Sequence, residues 1–98
     1  MKAHRALHIA SDHPAYEGHF PGHPMLPGVV LLAEALAVIE SLAAPAGGWV
    51  VENAKFLLPV EPGTPLTLTH EALASGAVRF EIHSPAGVVA SGLAAAQA

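Results

Sequence analysis

Residues Gly18 to Leu36 read GHFPGHPMLPGVVLLAEAL, a loop rich in Pro and Gly that runs directly into an apolar segment. Three prolines and three glycines fall in the first eleven positions, and none in the next eight. Proline fixes one backbone angle, whereas glycine admits conformations that other residues avoid. The stretch therefore predicts a long ordered loop, from Ser11 to Gly28, that ends where a helix begins.

The apolar segment from Val29 to about Ala44 predicts a single buried helix. It contains neither Gly nor Pro over sixteen residues. Its large apolar residues recur at helical spacing on one side, and they are Leu31, Leu32, Ala35, Val38, Ile39 and Leu42. A narrower opposite stripe holds Ala33, Glu34, Ala37, Glu40 and Ser41. The Pro27-Gly28 pair is typical of a helix start, and the PAGG segment that follows Ala44 is typical of a stop.

Short segments with alternating apolar residues predict five strands around this helix. One precedes it, and four follow it: Ala3–Ala10, Trp49–Val60, Thr64–Ala74, Ala77–Ser84 and Gly87–Gln97. The last segment is rich in Ala and weak as a strand by propensity, which a position at a sheet edge or an interface would override. This order predicts one α+β domain over residues 1–98, with one helix lying across an antiparallel sheet.

Composition limits the classes of function that this chain can have. Of its 98 residues, 52% are hydrophobic and 12% are charged, which predicts a subunit interface because so small a domain covers little apolar surface. The net charge is −4, and the few basic residues, Lys2, Arg5, Lys55 and Arg79, form no stripe for nucleic acid.

Several further features are absent from the sequence. It has no cysteine, which excludes disulfides and thiolate metal sites. We see no secretion signal and no apolar run long enough to span a bilayer. We therefore expect a cytoplasmic protein that does not bind membranes.

The Gly18–Leu36 stretch closely resembles the signature of the 3-hydroxyacyl-acyl-carrier-protein dehydratases of the FabZ/FabA type, which have the hot-dog fold. The family pattern G-H-F-x-G-x-P-x-x-P-G is matched throughout, at Gly18, His19, Phe20, Gly22, Pro24, Pro27 and Gly28. A second segment, AKFLLPVEPG at 54–63, is similar to the strand and turn that follow the family's helix. Some small members of this kind act in polyketide-like or aryl polyene pathways.

The resemblance implies a fold, a reaction and a set of site residues. The fold would be a hot-dog, an antiparallel sheet wrapped around one long central helix. The reaction would be dehydration of a 3-hydroxyacyl thioester, held on the 4'-phosphopantetheine arm of an acyl carrier protein, to a trans-2-enoyl thioester. His19 would be the general base, since a neutral imidazole titrates near working pH. The exposed backbone amide of Gly28 would stabilise the thioester oxygen.

The acyl chain needs an apolar channel. We expect Phe20, Pro27, Ala33 and Phe56 to contact the substrate, with Ala37, Leu57 and Leu58 extending the wall between two subunits. The basic residues are too few to give a strong docking signal for an acidic carrier protein.

The chain departs from the family at the acid. The family carries Asp or Glu five residues after its helix glycine, where this chain has Ala33, and the nearest acid is Glu34. One helical step turns a side chain by about 100°, so Glu34 points to a different side. Either Glu34 replaces the acid, or an acid comes from a different hot-dog subunit in a heterodimer.

Two other functions stay open from the sequence, a hot-dog acyl thioesterase that uses a helix carboxylate, and a catalytically incomplete subunit that supports an active partner. A homodimer and a heterodimer are both compatible with the pattern. His23 lies four residues after His19, with Asp12 and His13 nearby, but nothing makes three ligands converge, so we expect no metal. We expect no other cofactor.

Overall fold

The computed structural model describes residues 2–7 and 27–97, which form one helix and five strands. In chain order these elements are β1 (Lys2–Leu7), α1 (Gly28–Leu42), β2 (Trp49–Phe56), β3 (Leu66–Ala72), β4 (Val78–Ser84) and β5 (Gly87–Ala96). No helix in this part of the chain is both long and apolar enough to cross a bilayer.

The five strands form one antiparallel sheet in the order β1-β3-β4-β5-β2. The strands that flank α1 in sequence, β1 and β2, therefore lie at opposite edges of the sheet. One face of the sheet packs against α1 in a shared hydrophobic core. The α+β architecture expected from the order of elements, and the single helix against an antiparallel sheet that the hot-dog resemblance implies, are both confirmed.

Helix α1 begins and ends where local chemistry predicts. Pro27 precedes it in an extended conformation, and the amide of Val30 donates to the Pro27 carbonyl oxygen at 3.0 Å. Its Leu- and Ala-rich sequence has high helix propensity. The chain returns to an extended conformation at Ala43, whose amide donates to the Ile39 carbonyl, and Pro45 follows two residues later. Proline disfavours helical angles at the residue before it, so the helix stops short of Pro45.

The core lies between one face of α1 and the inner face of the sheet. Leu31, Ala35 and Ile39 are buried at intervals of four residues, which places them on one line along the helix. The strands contribute alternate residues to the same core, among them Leu66, Leu68, Phe80, Ile82, Ala90 and Ala94. The alternation read from β3 and β4 is confirmed, because their apolar residues face the helix.

Two side-chain environments differ from the sequence expectation. Leu42 lies on the core side of α1 by periodicity, yet 53% of it is exposed, because it borders a cavity beyond the last turn. Thr69 occupies the outer face of β3 but is buried. Its cross-strand neighbours are His4 and Glu81, and its Oγ1 lies 3.4 Å from Nε2 of His83.

Strand ends and strand order also correct the sequence analysis. The predicted strand Trp49–Val60 ends at Phe56, because the amides of Leu57 and Leu58 both approach the Val89 carbonyl and Pro59 has no amide hydrogen. The segment predicted to begin at Thr64 begins at Leu66. Of the first predicted strand, residues 8–10 lie outside the described residues. The last strand is not at a sheet edge, one of the two positions considered for it, since β5 lies between β4 and β2.

The small residues of β5 explain its central position. Gly92 is the cross-strand partner of Phe80, and a methyl group at Gly92 would lie 2.5 Å from the tip of the Phe80 ring and 2.8 Å from the Asn53 carbonyl oxygen. The Phe80 ring therefore occupies the space that a side chain at position 92 would need. Low strand propensity is therefore outweighed by packing, because a larger residue would separate the ring from the sheet.

We expect Gly92→Ala to lower the free energy of unfolding by about 1–3 kcal/mol, the usual range for overpacking a core. The added methyl group meets the Asn53 backbone, which cannot turn aside as a side chain can. Chemical denaturation measures the change, with Ser91→Ala on the opposite face of the same strand as the control. Equal stabilities of the two variants would contradict this account of the core.

Stability should also depend on the protonation of His70, which lies half-buried on the helix side of β3. Burial, then the charge of Arg5, then that of His4, lowers the pKa of His70 from its ordinary value of 6.5. The unfolded chain therefore binds this proton more readily than the folded protein does. The free energy of unfolding decreases as the pH falls below 6.5, the pKa of His70 in the unfolded chain, and the decrease ends below the pKa of His70 in the folded protein.

Thermal unfolding between about pH 7.5 and pH 5.5 measures this loss. Wild type should lose more stability on acidification than His70→Gln, because the other histidines titrate in both chains. Parallel pH profiles would show that His70 makes no such contribution.

Candidate functional site

The first turn of α1 presents backbone donors that the helix itself does not use. The amides of Gly28 and Val29 have no residue four positions earlier within the helix, so they lack intrahelical acceptors. No acidic side chain occupies this first turn, and among residues 2–7 and 27–97 no side chain caps it. The positive end of the helix dipole is therefore uncompensated by the residues of α1.

An aromatic ring lies directly on this turn. A methyl group built on Gly28 would lie 2.7–2.9 Å from three carbons of the Phe56 ring. Glycine is required here because the ring and the helix backbone are in direct contact. Phe56, at the end of edge strand β2, is nevertheless 51% exposed. One part of the ring thus packs on the helix start while the rest is open to a ligand or a second chain.

Exposed apolar residues flank this contact along the chain. They are Val29, next to Gly28, and Leu57 and Leu58, which follow Phe56; together with Phe56 we call them the apolar mouth. Val29 is 71% exposed, and along the same helix face Ala33 and Ala37 are exposed as well. Several large exposed apolar residues in one region are typical of a binding surface. The apolar mouth therefore combines exposed hydrocarbon with amides that have no acceptor within α1.

Ala33, which stands at the position of the family's acid in the resemblance, and Glu34, the nearest carboxylate, face different directions on α1. Ala33 lies one turn after Val29 on the exposed stripe, so it is on the side of the apolar mouth. Glu34 is about 100° further round and half-buried on the flank of the helix. Within the described part of the chain, its carboxylate has no hydrogen bond or ion pair. The sequence expectation that Glu34 points away from the position of Ala33 is confirmed.

Of the residues expected at the site, the structure brings together Pro27, Gly28 and Phe56, with Ala33 one turn away. His19 and Phe20 lie outside the described residues, and so do His23, Asp12 and His13. Their convergence on the helix start stays a prediction. Among residues 2–7 and 27–97, no group of three His, Cys, Asp or Glu side chains is arranged to hold a metal ion.

Sequence reasoning missed Val29. The residue was read as part of the helix body, whereas it is the most exposed large apolar side chain among the described residues. Its signal is the helical spacing that puts it four residues before Ala33, on the stripe opposite the core.

Among the described residues, the basic side chains on β2 and β4 lie away from the apolar mouth. Lys55 and Arg79 lie on the outer face of the sheet, where with Asn53 and Ser91 they line a groove of about 300 Å³. Nη1 of Arg79 is 3.9 Å from a carboxylate oxygen of Glu71. Since Phe56 is on the inner face, the sheet separates this groove from the helix start. The geometry therefore offers donors and an apolar wall for a thioester, but no cluster of cations beside them within the described residues.

Comparison with known proteins places the chain in a family. A family model described as ApeI-like, ApeI dehydratase, matches residues 1–93. A relative named 3-hydroxyacyl-acyl-carrier-protein dehydratase FabZ, from Thermus thermophilus, is 43% identical over 75 residues, which cover 67% of this chain and 53% of the relative. The chain thus spans about half the length of the curated relatives it matches.

Solved structures agree on the fold. The dehydratase heterocomplex ApeI:P from Xenorhabdus doucetiae contains a chain that superposes with a TM-score of 0.79 at 26% identity, over 96% of this chain and 85% of that one. An (R)-hydratase from A. caviae involved in PHA biosynthesis superposes with a TM-score of 0.71 at 18% identity, over 99% and 95%. These neighbours share the hot-dog fold of this chain.

The contact between Gly28 and Phe56 can be tested by a double-mutant cycle. Gly28→Ala should lower the free energy of unfolding by about 1–3 kcal/mol, because its methyl group displaces the ring. In a Phe56→Ala background the same change should be neutral or slightly stabilising, since Ala favours helix over Gly. Denaturant unfolding of the four proteins measures the coupling, expected at about 0.5–3 kcal/mol.

The matched control replaces Phe56→Ala with Val50→Ala, which removes another exposed apolar residue from the far end of β2. There, the cost of Gly28→Ala should be unchanged. Additive effects of Gly28→Ala and Phe56→Ala would refute the contact.

Proposed function

This chain belongs to the ApeI-like dehydratase family, and on that premise we propose that it removes water from 3-hydroxyacyl thioesters held on an acyl carrier protein. The observation that carries the proposal is the exposed start of α1, where the Gly28 amide lies beside the Phe56 ring and the apolar mouth. The reaction converts the thioester to its trans-2-enoyl form. The FabZ relatives, which bear the name of this reaction, support the assignment.

The proposed chemistry needs three groups. His19 takes the proton from C2 of the acyl chain, and negative charge grows on the thioester oxygen. The C3–O bond breaks as the C2–C3 double bond forms. An acid then protonates the departing hydroxyl, so that water leaves. His19 is the base because its neutral imidazole suits proton transfer near neutral pH and because it stands in the His-Phe-Pro-Gly loop that leads to the helix.

The amide of Gly28 receives the growing charge in this proposal. A carbonyl oxygen above the first turn of α1 meets a free N–H group and the positive end of the helix dipole. Donors of this kind contribute about 3 kcal/mol when the charge develops in the transition state. The Phe56 ring, which packs on the backbone at Gly28, would form an apolar wall beside this charge, and an apolar surrounding strengthens electrostatic interactions. The hydrocarbon chain would continue over Val29 and Ala33.

Two different residues are candidates for the acid that protonates the departing hydroxyl, one on this chain and one on a partner. Glu34 is the only carboxylate in the first two turns of α1, but it is half-buried on the flank of the helix while Ala33 faces the apolar mouth. A second proposal follows from this geometry. The chain is a catalytically incomplete subunit, and a different hot-dog subunit supplies the acid across the interface. The similar chain in the dehydratase heterocomplex ApeI:P supports such an arrangement, because that dehydratase is a heterocomplex.

Two features support an interface with a second subunit. Strand β2 is an edge of the sheet, and an edge strand exposes unpaired backbone groups unless another element covers it. The apolar mouth adjoins the end of the same strand. A partner that pairs with β2 would also cover Phe56 and Leu57, and would complete the channel for the acyl chain. We therefore propose a dimer, either with a second copy or with another hot-dog chain.

The assay uses a 3-hydroxyacyl carrier protein incubated with this chain alone, and with a candidate partner subunit. Mass spectrometry follows the loss of water, and a thiol reagent follows thioester hydrolysis. Turnover by the chain alone supports Glu34 as the acid, and turnover only after mixing supports the incomplete subunit. Release of free thiol in place of water loss would support the thioesterase alternative, which no contact among the described residues favours.

In whichever sample turns over, His19→Ala should reduce the rate by about 10²–10⁴-fold, the usual contribution of a general base. Glu34→Gln should reduce the rate only if Glu34 is the acid. Glu40→Gln, an exposed carboxylate further along α1, is the matched control and should leave the rate unchanged. Full activity of His19→Ala would remove His19 from the mechanism.

A further inference from the structure

A second cavity lies at the opposite end of α1 from the candidate site. Its volume is about 360 Å³, and its walls include Ile39 and Leu42 of the last helical turn, Trp49 of β2 and Val78 of β4. At about 1.5 Å per residue, this turn is roughly 20 Å along the helix from Gly28. The cavity is therefore separate from the apolar mouth.

The cavity is an open apolar groove at the end of the core. Leu42 continues the line of Leu31 and Ala35 along α1, yet it meets open space where they meet the sheet. Ala43 and Ala72 in the lining are exposed as well, so the groove opens to solvent. Pockets for small ligands begin at about 300 Å³. The size of this gap is therefore that of a small binding site with apolar walls.

Polar chemistry is confined to the sheet side of the cavity. The indole Nε1 of Trp49 is already used, since it donates to the Ala43 carbonyl oxygen at 3.0 Å. His70 is the one titratable side chain in the lining, and its cross-strand partner Ala3 lines the cavity too. Arg5 lies two residues along β1 on the same face of the sheet, close enough for its charge to act on the His70 ring. Among the described residues, no acidic side chain forms an ion pair with Arg5.

We propose that this cavity binds a medium-chain aliphatic carboxylate, with the hydrocarbon between the end of α1 and the sheet, and the carboxylate beside His70 and Arg5. The orientation follows from electrostatics. The last carbonyl groups of α1 carry partial negative charge, which repels a carboxylate at the helix end. The cation and the imidazole N–H lie at the β1–β3 edge, where Ala3 is exposed and the cavity can open to solvent. This site does not depend on the proposed dehydration.

The chain contains its own reporter. Trp49 is its only tryptophan, and it lines the cavity. Titration of the whole protein with octanoate should change Trp49 fluorescence with saturation. Octanol, which has the same chain length without the charge, should bind more weakly.

Variants separate the two parts of the site. Ala72→Phe fills the cavity from β3 and should abolish binding of both compounds. Arg5→Gln should weaken octanoate by about threefold to fivefold, the range for one exposed ion pair, and leave octanol unchanged. Lys55→Gln, on the outer face of the sheet, is the charge-matched control and should bind octanoate as wild type does.

Several outcomes would overturn the proposal. One is the absence of a saturable response in wild type. Another is a response that survives Ala72→Phe, which would locate the ligand elsewhere. Equal affinity of wild type and Arg5→Gln for octanoate would show that Arg5 does not bind the carboxylate, which contradicts the proposal. This comparison applies even if Ala72→Phe does not fold. A fluorescence change with protein concentration alone would show that a second copy occupies the cavity.

Discussion

The burial of one face of α1 against the sheet is the interaction on which the rest of this structure depends. Leu31, Ala35 and Ile39 provide the helix side of that contact, and Phe80 and Ile82 lie in the same core from the sheet. Fully burying one large apolar side chain contributes about 1.5–3 kcal/mol, so a few such residues outweigh the low strand propensity of β5. The position of the helix on the sheet then fixes what lies at each of its ends.

The two ends of α1 are chemically different because of this placement. At the start, the absence of a side chain at Gly28 lets the Phe56 ring rest on the backbone, beside amides that the helix leaves free. At the other end, Leu42 extends past the packed part of the sheet and leaves an apolar space next to His70. The same helix thus has an electropositive end at the candidate site and an open apolar groove at its far end.

Small residues decide how closely these parts approach. Gly92 makes room for the Phe80 ring, and Gly28 makes room for the Phe56 ring. Ala33 and Ala37 keep the exposed stripe of α1 shallow beside the apolar mouth. In each case the function or the packing depends on a missing side chain, and this explains why a chain so rich in Ala still forms a specific core.

The sequence by itself determined the local structure. Periodicity showed which face of α1 is apolar, Pro27-Gly28 and Pro45 marked its ends, and alternation in β3 and β4 showed which residues face the helix. The resemblance of the Gly18–Leu36 stretch was enough to predict the hot-dog fold. These features depend on neighbours along the chain, so the amino-acid order contains them.

Only the tertiary structure decided which distant residues meet. The strand order put β5 between β4 and β2 rather than at an edge, and it buried Thr69 on the outer face. It also set Phe56 on Gly28, exposed Val29 and left Leu42 beside a cavity. A pattern in the sequence indicates which face of a helix or strand is apolar. Which residues cover that face depends on the register and order of strands that are distant in the chain.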